Sequence, residues 1–182
     1  MTLFALCWPV LVYPQFGQRD QDPDPDVREL PVKERIFVGG FIGLQFGNYT
    51  SVGVNAHVGY RLTNRLSAGF GGVYQFANDR WFGESFTSHM YGGGVFARFR
   101  VFDQLFVHAE QEWLSLVSRV DFSDPGNRQR ISEDNFLLGL GYGLRMSERV
   151  RLNILLLYNF NEDTQVYFNN PFFRVGIDVY LR

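Results

Sequence analysis

Residues 50–76 alternate between apolar side chains and small or polar ones along both arms of a hairpin. Successive side chains of a β-strand point to opposite faces, so residues i, i+2 and i+4 share a face. One face of the first arm is apolar, whereas the other carries Ser51, Gly53, Asn55, His57, Gly59 and Arg61. The second arm repeats this division. The pattern predicts an antiparallel sheet with two chemically different faces, and it leaves open which solvent meets each face.

The same kind of hairpin is predicted at three places in the chain. Three-residue loops at 63–65, 103–105 and 147–149 pair, in turn, Leu62 with Leu66, Phe102 with Phe106 and Met146 with Val150. The loops are about 40 residues apart, which is the spacing of an internal structural repeat. The chain is therefore expected to be built from successive hairpins.

Eight strands are predicted, at 34–46, 50–62, 66–79, 88–102, 106–119, 134–146, 150–161 and 172–182. The connections after strands two, four and six are tight, whereas those at 80–87, 120–133 and 162–171 are longer and polar. Short turns at one end and longer loops at the other are typical of outer-membrane barrels. An even number of strands predicts that both termini lie at the short-turn end, which is the periplasmic side in such barrels.

The two faces of the predicted strands differ over the whole chain. The seventh strand, for example, has a face without charge that carries Val150, Leu152, Ile154, Leu156, Tyr158 and Phe160. The opposite faces hold 12 of the 19 glycines and the charged residues Arg61, Arg98, Arg100, Glu110, Glu112, Arg145, Arg151, Arg174 and Asp178. Small and charged residues suit a narrow barrel interior. The apolar face needs an apolar solvent, and in lipid a closed barrel is the sheet that satisfies every backbone N–H and C=O. The sequence therefore predicts an all-β, eight-stranded antiparallel up-and-down transmembrane β-barrel.

Composition excludes other classes. The chain has no apolar run of about 18 residues or more, which excludes a helical membrane protein, and its mean hydropathy is −0.13. A net charge of −2 gives no support for nucleic-acid binding. The alternative is a soluble, lipocalin-like eight-stranded barrel that binds a small ligand. That fold would turn the glycine-rich, charged face to water, where the glycines weaken the strands without gain.

The first part of the chain is expected to lie outside the barrel. Residues 1–18 contain a short apolar run and are interpreted as a signal peptide. Residues 19–33 include the sequence Asp-Gln-Asp-Pro-Asp-Pro-Asp and are predicted to be a disordered periplasmic linker. The barrel is assigned to 34–182. Cys7 is the single cysteine and lies in the expected signal peptide, so neither a disulfide nor a cysteine-based metal site is expected in the barrel. We also expect no other metal site and no cofactor.

Three segments carry a resemblance to a known family. They are residues 37–50, residues 58–69, and residues 96–113, the last with Phe-Ala-Arg-Phe-Arg followed by Phe-Val-His-Ala-Glu-Gln-Glu-Trp. With the length and strand number, they resemble small outer-membrane barrels of the OmpA/OmpX type, and more closely an uncharacterised family of Bacteroidetes-type barrels. The resemblance implies the outer membrane of a Gram-negative bacterium and contact with lipid, lipopolysaccharide and the barrel-assembly machinery. One departure is the C-terminus, where Arg182 stands in place of the aromatic residue usual in such barrels.

The inward charges are predicted to form a structural ion-pair network that fills the lumen. The loop at 103–105 places Arg98 opposite Glu110 and Arg100 opposite His108, with Glu112 one inward step further. A buried charge needs a partner, so Arg98 and Glu110 are expected to form an ion pair. Nearer the turns, the inward arginines are Arg61, Arg100, Arg145 and Arg151, and the inward acid at similar depth is Asp178.

These observations favour a structural or surface-interaction role with a side-chain-filled, polar lumen. The alternatives are a narrow pore for small solutes, a lipid-modifying outer-membrane enzyme, or the soluble ligand-binding barrel. An enzyme has weak support: His57 and His108 fall on non-neighbouring strands, and His89 with Ser85 and Ser88 forms no specific motif. We therefore expect no catalytic activity and no nucleic-acid partner, and we expect a monomer.

Overall fold

The computed structural model describes residues 26–45, 49–81, 84–119, 128–161 and 170–181. A 3-10 helix at Val27–Glu29 and a short helix, α1, at Val32–Arg35 precede the sheet. The eight strands are β1 Ile36–Gln45, β2 Tyr49–Arg61, β3 Leu66–Trp81, β4 Glu84–Arg100, β5 Leu105–Arg119, β6 Arg128–Arg145, β7 Val150–Asn159 and β8 Phe172–Tyr180. No helix in these ranges is long and apolar enough to cross a bilayer.

The strands form one closed barrel in chain order, and each pairs antiparallel with its neighbours. Closure is made by β1 and β8, which pair from Phe37 with Tyr180 to Ile42 with Val175. Closure leaves no sheet edge with unsatisfied backbone groups. The predicted eight-stranded up-and-down barrel is confirmed. The end that carries the three hairpin turns and α1 is called the turn end below, and the opposite end is called the loop end.

Three strands extend further toward the loop end than predicted. β3 continues to Trp81 and β4 begins at Glu84, within the loop expected at 80–87. β6 begins at Arg128, within the loop expected at 120–133. Backbone pairing between β5 and β6 continues to Arg119 and Arg128, beyond the apolar stretch. The predicted strand ends were placed where the alternation of apolar residues stops. Backbone pairing does not need apolar side chains, so the strands continue beyond those ends.

The second hairpin turn lies one residue earlier than predicted. In all three turns one backbone N–H donates to the carbonyl four residues ahead: Leu62 to Leu66, Val101 to Leu105 and Met146 to Val150. The three-residue loop is therefore 102–104, and the predicted pairing of Phe102 with Phe106 is wrong. The error arose because Phe102 is apolar and was assigned to a strand, although it is 68% exposed in the turn. Its place in the other two turns is held by a hydroxyl residue, Thr63 or Ser147, that accepts backbone N–H bonds.

The outer face of the barrel is apolar. Phe70, Val54, Val95, Leu140 and Ile177 point away from the lumen, and each is exposed. Exposed aromatic residues gather toward the loop end: Tyr74, Phe76, Tyr91, Trp113, Phe136, Tyr158, Phe160 and Phe173. An apolar band flanked by aromatic residues is the surface of a barrel in contact with lipid. This surface is the reverse of a lipocalin-like barrel, whose apolar face points inward.

Inward glycines make room for aromatic rings on neighbouring strands. A Cβ atom at Gly59, Gly69 or Gly141 would overlap the ring of Phe37, Phe96 or Phe106, respectively. Each ring lies across a glycine backbone, so large side chains fit into a lumen that only eight strands enclose. The glycine-rich face and the aromatic filling therefore depend on each other.

Residues 26–33, the described part of the expected linker, contain the 3-10 helix and the start of α1. Asp26 accepts a hydrogen bond from the backbone of Arg28 and so caps the 3-10 helix. Val27 is fully buried, and its backbone N–H donates to Asn64 in the first turn (2.7 Å). Arg35 donates to the carbonyls of residues 28 and 30. These contacts hold the segment against the turn end, and residues 19–25 of the expected linker lie outside the described residues.

Candidate functional site: a buried ionic network in the lumen

Inward side chains from four strands meet in the middle of the barrel. His57 comes from β2, Arg98 from β4, His108, Glu110 and Glu112 from β5, and Arg174 and Asp178 from β8. All seven are less than 10% exposed. We call this set the lumen network.

Arg98 and Asp178 form the first ion pair of the network. The Nη1 of Arg98 donates to Oδ2 of Asp178 over 2.6 Å. The other carboxylate oxygen of Asp178 lies 2.8 Å from Nε2 of His57, which donates to it. A side chain at Gly39 would overlap this carboxylate, so the glycine opens the space that the ion pair occupies.

His108 joins Arg98 to Glu110. The Nε of Arg98 donates to Nδ1 of His108 (3.2 Å), and Nε2 of His108 donates to Glu110 (3.0 Å). One ring nitrogen accepts and the other donates, as in a neutral imidazole. The His108 ring therefore links the guanidinium of Arg98 to the carboxylate of Glu110 through two hydrogen bonds, one accepted and one donated.

Arg174 completes the network with two carboxylates. Its Nη1 donates to Glu110 (2.9 Å) and its Nη2 donates to Glu112 (2.8 Å). The Nδ2 of Asn55 also approaches Glu110 at 3.4 Å. Charge-assisted hydrogen bonds of this kind are the strong ones in proteins. Within the network, two guanidinium groups thus face three carboxylates.

Four phenylalanine rings surround the Arg98 end of the network. The guanidinium carbon of Arg98 lies 4.6 Å from the ring centroid of Phe96, and 5.4, 5.6 and 5.8 Å from those of Phe41, Phe37 and Phe106. Phe41 also stacks on His57 at 5.0 Å. A cation over aromatic faces is stabilised electrostatically, more so when water is excluded. We call these four rings the aromatic jacket.

Apolar side chains fill the lumen beside the network. One buried cluster contains Phe41, Phe106, Leu137, Leu155 and Leu157. A second, nearer the loop end, contains Val73, Met90, Leu114 and Leu116. The prediction of a polar interior is therefore correct for the network and incomplete for the lumen, which also holds large apolar side chains.

The residues predicted to pair across β4 and β5 are not the ones that pair in the structure. Arg98 lies opposite His108 and not opposite Glu110, and Arg100 lies opposite Phe106 and not opposite His108. The turn that lies one residue earlier shifts every pair of β4 and β5 by one inward step. Instead of the expected ion pair between Arg98 and Glu110, Arg98 pairs with Asp178 and Glu110 pairs with Arg174.

The remaining predicted site residues lie at the turn end. Arg145 is directly opposite Arg151, as expected, and Arg151 is opposite Asp178 on its other side. Arg61 and Arg100 border the same space. Asp178 nevertheless directs its carboxylate to Arg98 and His57.

Sequence reasoning placed Arg174 and His57 on the inward face but did not assign them to the network. Their partners lie across the lumen on strands that are not neighbours. Alternation assigns each residue to a face, whereas contacts across a barrel depend on the stagger between strands. The sequence signal that could have found Arg174 was its place on the inward face of the last strand, because a buried charge needs a partner.

The histidines considered as catalytic candidates have other partners. In the described residues, His57 and His108 bond to charged side chains and to no hydroxyl or thiol group. His89 lies on the outer face, where its Nδ1 contacts the hydroxyl of Tyr74 at 2.9 Å. The side chains of Ser85 and Ser88 lie outside the described part. No group of three or more His, Cys, Asp or Glu residues in that part has the arrangement of a metal site.

Comparisons with known proteins find similarity among solved structures. No protein-family model matches the chain, and no curated protein matches it. Among solved structures, it is similar to the N-terminal β-barrel domain of Pseudomonas aeruginosa OprF, with a TM-score of 0.42 and 10% sequence identity. The match covers 81% of this chain and 97% of that chain.

Proposed function

We propose that the protein is an outer-membrane β-barrel of a Gram-negative bacterium with a structural or surface-interaction role and a closed lumen. The observation that carries the proposal is the lumen network within its aromatic jacket. His108, Glu112 and Phe37 are each at most 1% exposed, so the described middle of the lumen is filled by side chains. Eight-stranded barrels have interiors just wide enough for such filling.

The membrane placement rests on the outer surface. Large apolar side chains cover the outward face, and aromatic residues gather toward the loop end. Such a surface needs lipid as its solvent. We propose that both termini and the three tight turns face the periplasm. Membership of the Bacteroidetes-type family of small barrels is part of this proposal and rests on the three segments quoted above.

The expected partners follow from this placement. Outward apolar residues would contact outer-membrane lipid and lipopolysaccharide, and the barrel-assembly machinery would insert the chain. We propose a monomer, no catalytic activity and no nucleic-acid partner. The two histidines in the network support this view, because their hydrogen bonds go to the ions that hold the lumen together.

Planar bilayer recordings test the closed lumen. The purified protein should give no stable conductance steps, because the network and jacket block the path. Steady conductance of the wild-type protein would overturn this proposal and favour the narrow-pore alternative. A variant with both Phe37 and Phe96 replaced by alanine is the positive control, since it should open a path if it remains folded.

A further inference from the structure

A group of polar and aromatic side chains lies on the outer face of the barrel, toward the loop end. Its members are Tyr74, His89, Tyr91, Ser115 and Arg130, which come from β3, β4, β5 and β6. Four of them are exposed, and Ser115 is partly buried. None of the five belongs to the lumen network or to the aromatic jacket. We call this set the outer cluster.

The sheet register brings these residues together on four neighbouring strands. Tyr91 pairs with Tyr74 on one side and with Ser115 on the other. Arg130 pairs with Val117, which is two residues beyond Ser115 on β5 and on the same face. The side chain of Arg130 therefore crosses β5 to reach the ring of Tyr91. Strand pairing, and not the connections at the loop end, sets this arrangement.

Arg130 is held in place by an aromatic ring and a hydroxyl group. Its guanidinium carbon lies 4.8 Å from the ring centroid of Tyr91, and its Nη1 donates to Oγ of Ser115 over 3.2 Å. A guanidinium stacks well on an aromatic face and carries five N–H donors in a planar fork. Within the described residues, the bond to Ser115 uses one of these donors. The fork therefore keeps N–H groups for an acceptor outside the chain.

His89 adds a second donor beside Tyr91. It lies two residues from Tyr91 along β4, about 7 Å away on the same face. The hydroxyl of Tyr74 donates to Nδ1 of His89 over 2.9 Å, so Nε2 carries the ring proton and can donate outward. The outer cluster therefore combines a fixed cation with a neighbouring N–H donor.

The described acid on the same face of β6 lies away from this cation. Asp134 is four residues from Arg130, roughly 13 Å along the strand. It pairs with Trp113, one outward step closer to the turn end than Ser115. Arg130 itself leans across β5 toward β4. The outer cluster is thus suited to an anion that comes from outside the chain.

Apolar surface begins directly below the outer cluster, toward the turn end. Phe70 and Val95 pair with each other, four residues from Tyr74 and Tyr91 along their strands. Their side chains are 65% and 49% exposed. An anion that binds through its charge alone needs no such surface, whereas a membrane lipid carries hydrocarbon chains below an anionic headgroup. The combination favours a lipid over a free anion.

We propose that the outer cluster binds a phosphate group of an outer-leaflet lipid, whose acyl chains lie along Phe70 and Val95. The arginine fork binds phosphate through parallel charge-assisted hydrogen bonds. This inference rests on the proposed function, because the proposed orientation places the loop end at the outer leaflet. The phosphate-bearing lipid expected in that leaflet is lipopolysaccharide, and its membrane anchor, lipid A, is the probe used below.

A titration with lipid A tests the site. The full chain, folded in detergent, is titrated with diphosphoryl lipid A and with the same lipid after removal of its phosphates, and native mass spectrometry counts the bound lipid. Saturable binding of the phosphorylated form, with the other form about tenfold weaker, supports the proposal. Equal binding of both forms would mean that acyl chains alone hold the lipid, and would overturn it. Displacement by inorganic phosphate would assign the site to a free anion, which also overturns it.

An arginine variant with a matched control locates the binding. Arg130→Gln should weaken the binding of diphosphoryl lipid A by about tenfold, since it removes charge-assisted hydrogen bonds. Arg65→Gln removes the same charge at the turn end, where Arg65 is exposed, and should leave the affinity unchanged. Circular dichroism verifies that both variants fold. An equal loss in the two variants, or no loss with Arg130→Gln, would overturn the site.

The lipid titration and the test of the closed lumen fail separately. Steady conductance in planar bilayers would overturn the closed lumen and leave the binding of lipid A unchanged. Absence of lipid A binding by a barrel that does not conduct would overturn the lipid site alone.

Discussion

Arg98 is the residue whose surroundings constrain the lumen most. Its guanidinium lies among four phenylalanine rings, and Asp178 is its carboxylate partner at 2.6 Å. Burying a charge away from water is costly unless an opposite charge and hydrogen bonds compensate. Arg174 differs because it bonds both Glu110 and Glu112. The two arginines should therefore respond differently to the loss of one acid.

We predict that Asp178→Asn lowers the free energy of unfolding by about 3–5 kcal/mol, the cost of leaving a buried charge without its partner. Glu110→Gln should cost clearly less, because Arg174 keeps Glu112. Both substitutions preserve side-chain size, so the difference reports charge. Urea unfolding in lipid vesicles measures both values. Equal losses would contradict the assignment of partners.

A substitution at Leu156 tests whether the outer face of the barrel contacts lipid. It is exposed on β7, opposite the outward residues Leu140 and Phe173 on the two neighbouring strands. Leu156→Arg should cost about 2–4 kcal/mol of unfolding free energy if this position lies near the bilayer midplane. Leu62→Arg, at the first turn, should cost only about 0–1 kcal/mol near the interface. Similar small costs at both positions in the same vesicle titration would exclude a lipid-facing belt.

At the residue scale, the sequence predicts faces better than partners. Arg98, Glu110 and Glu112 were all expected to point inward, and all are buried. Their partners were missed for two physical reasons. A turn placed one residue late moved the β4–β5 pairs by one step, and partners across the lumen depend on strand stagger, which alternation does not encode.

At the scale of elements, the inner faces combine glycine on one strand with a ring on the next. Phe37 on β1 lies across Gly59 on β2, and these two residues are paired directly in register. Glycine alone would weaken a strand, but an aromatic ring over its backbone restores packing. The sequence showed the glycines on the inward face, and the structure shows which ring each of them accommodates.

We predict opposite effects of alanine at two inward glycines. Gly59→Ala should destabilise the barrel by about 1–3 kcal/mol, because its methyl group would overlap the buried Phe37 ring. Gly43→Ala is the control on β1, where a Cβ atom meets nothing within 4 Å. There the change should be neutral or stabilise by about 0.4–1 kcal/mol, since alanine restricts the unfolded chain. Destabilisation by both to the same extent, in equilibrium unfolding, would argue against the ring-over-glycine arrangement.

The hairpins show where local chemistry limits prediction. Thr63 and Ser147 mark their turns through hydroxyl groups that accept backbone N–H bonds. These two turns were placed correctly, and their pairs Arg61 with Ser67 and Arg145 with Arg151 are observed. Phe102 holds the same position in the second turn without a hydroxyl group, and its apolar side chain resembles that of a strand residue. The length of the second loop was therefore predictable from the sequence, whereas the position of that loop in the chain was not.

At the scale of the whole molecule, the two ends of the barrel differ in charge and in covering. The turn end carries α1, the 3-10 helix and a cavity whose lining includes the arginines at positions 61, 100, 145, 149 and 151. The outward aromatic residues gather toward the loop end. Outer-membrane barrels have their short turns at the periplasmic end and their longer connections outside. Because the two ends differ, the proposed orientation of the barrel in the membrane can be tested directly.

The last prediction concerns that orientation. A protease site inserted after Gly126, in the connection between β5 and β6, should be cut on intact cells, because that connection belongs to the loop end. A site inserted after Asp103, in the exposed second turn, should resist cleavage until the outer membrane is permeabilised. Asp103 is suitable because, among the described residues, its side chain forms no hydrogen bond or ion pair with the barrel, whereas Asn64 in the first turn accepts a hydrogen bond from the backbone of Val27. Folding of each insertion variant is verified first by circular dichroism of the purified protein. Cleavage at Asp103 on intact cells, with protection at Gly126, would mean that the barrel has the opposite orientation in the membrane, with its turn end at the cell surface.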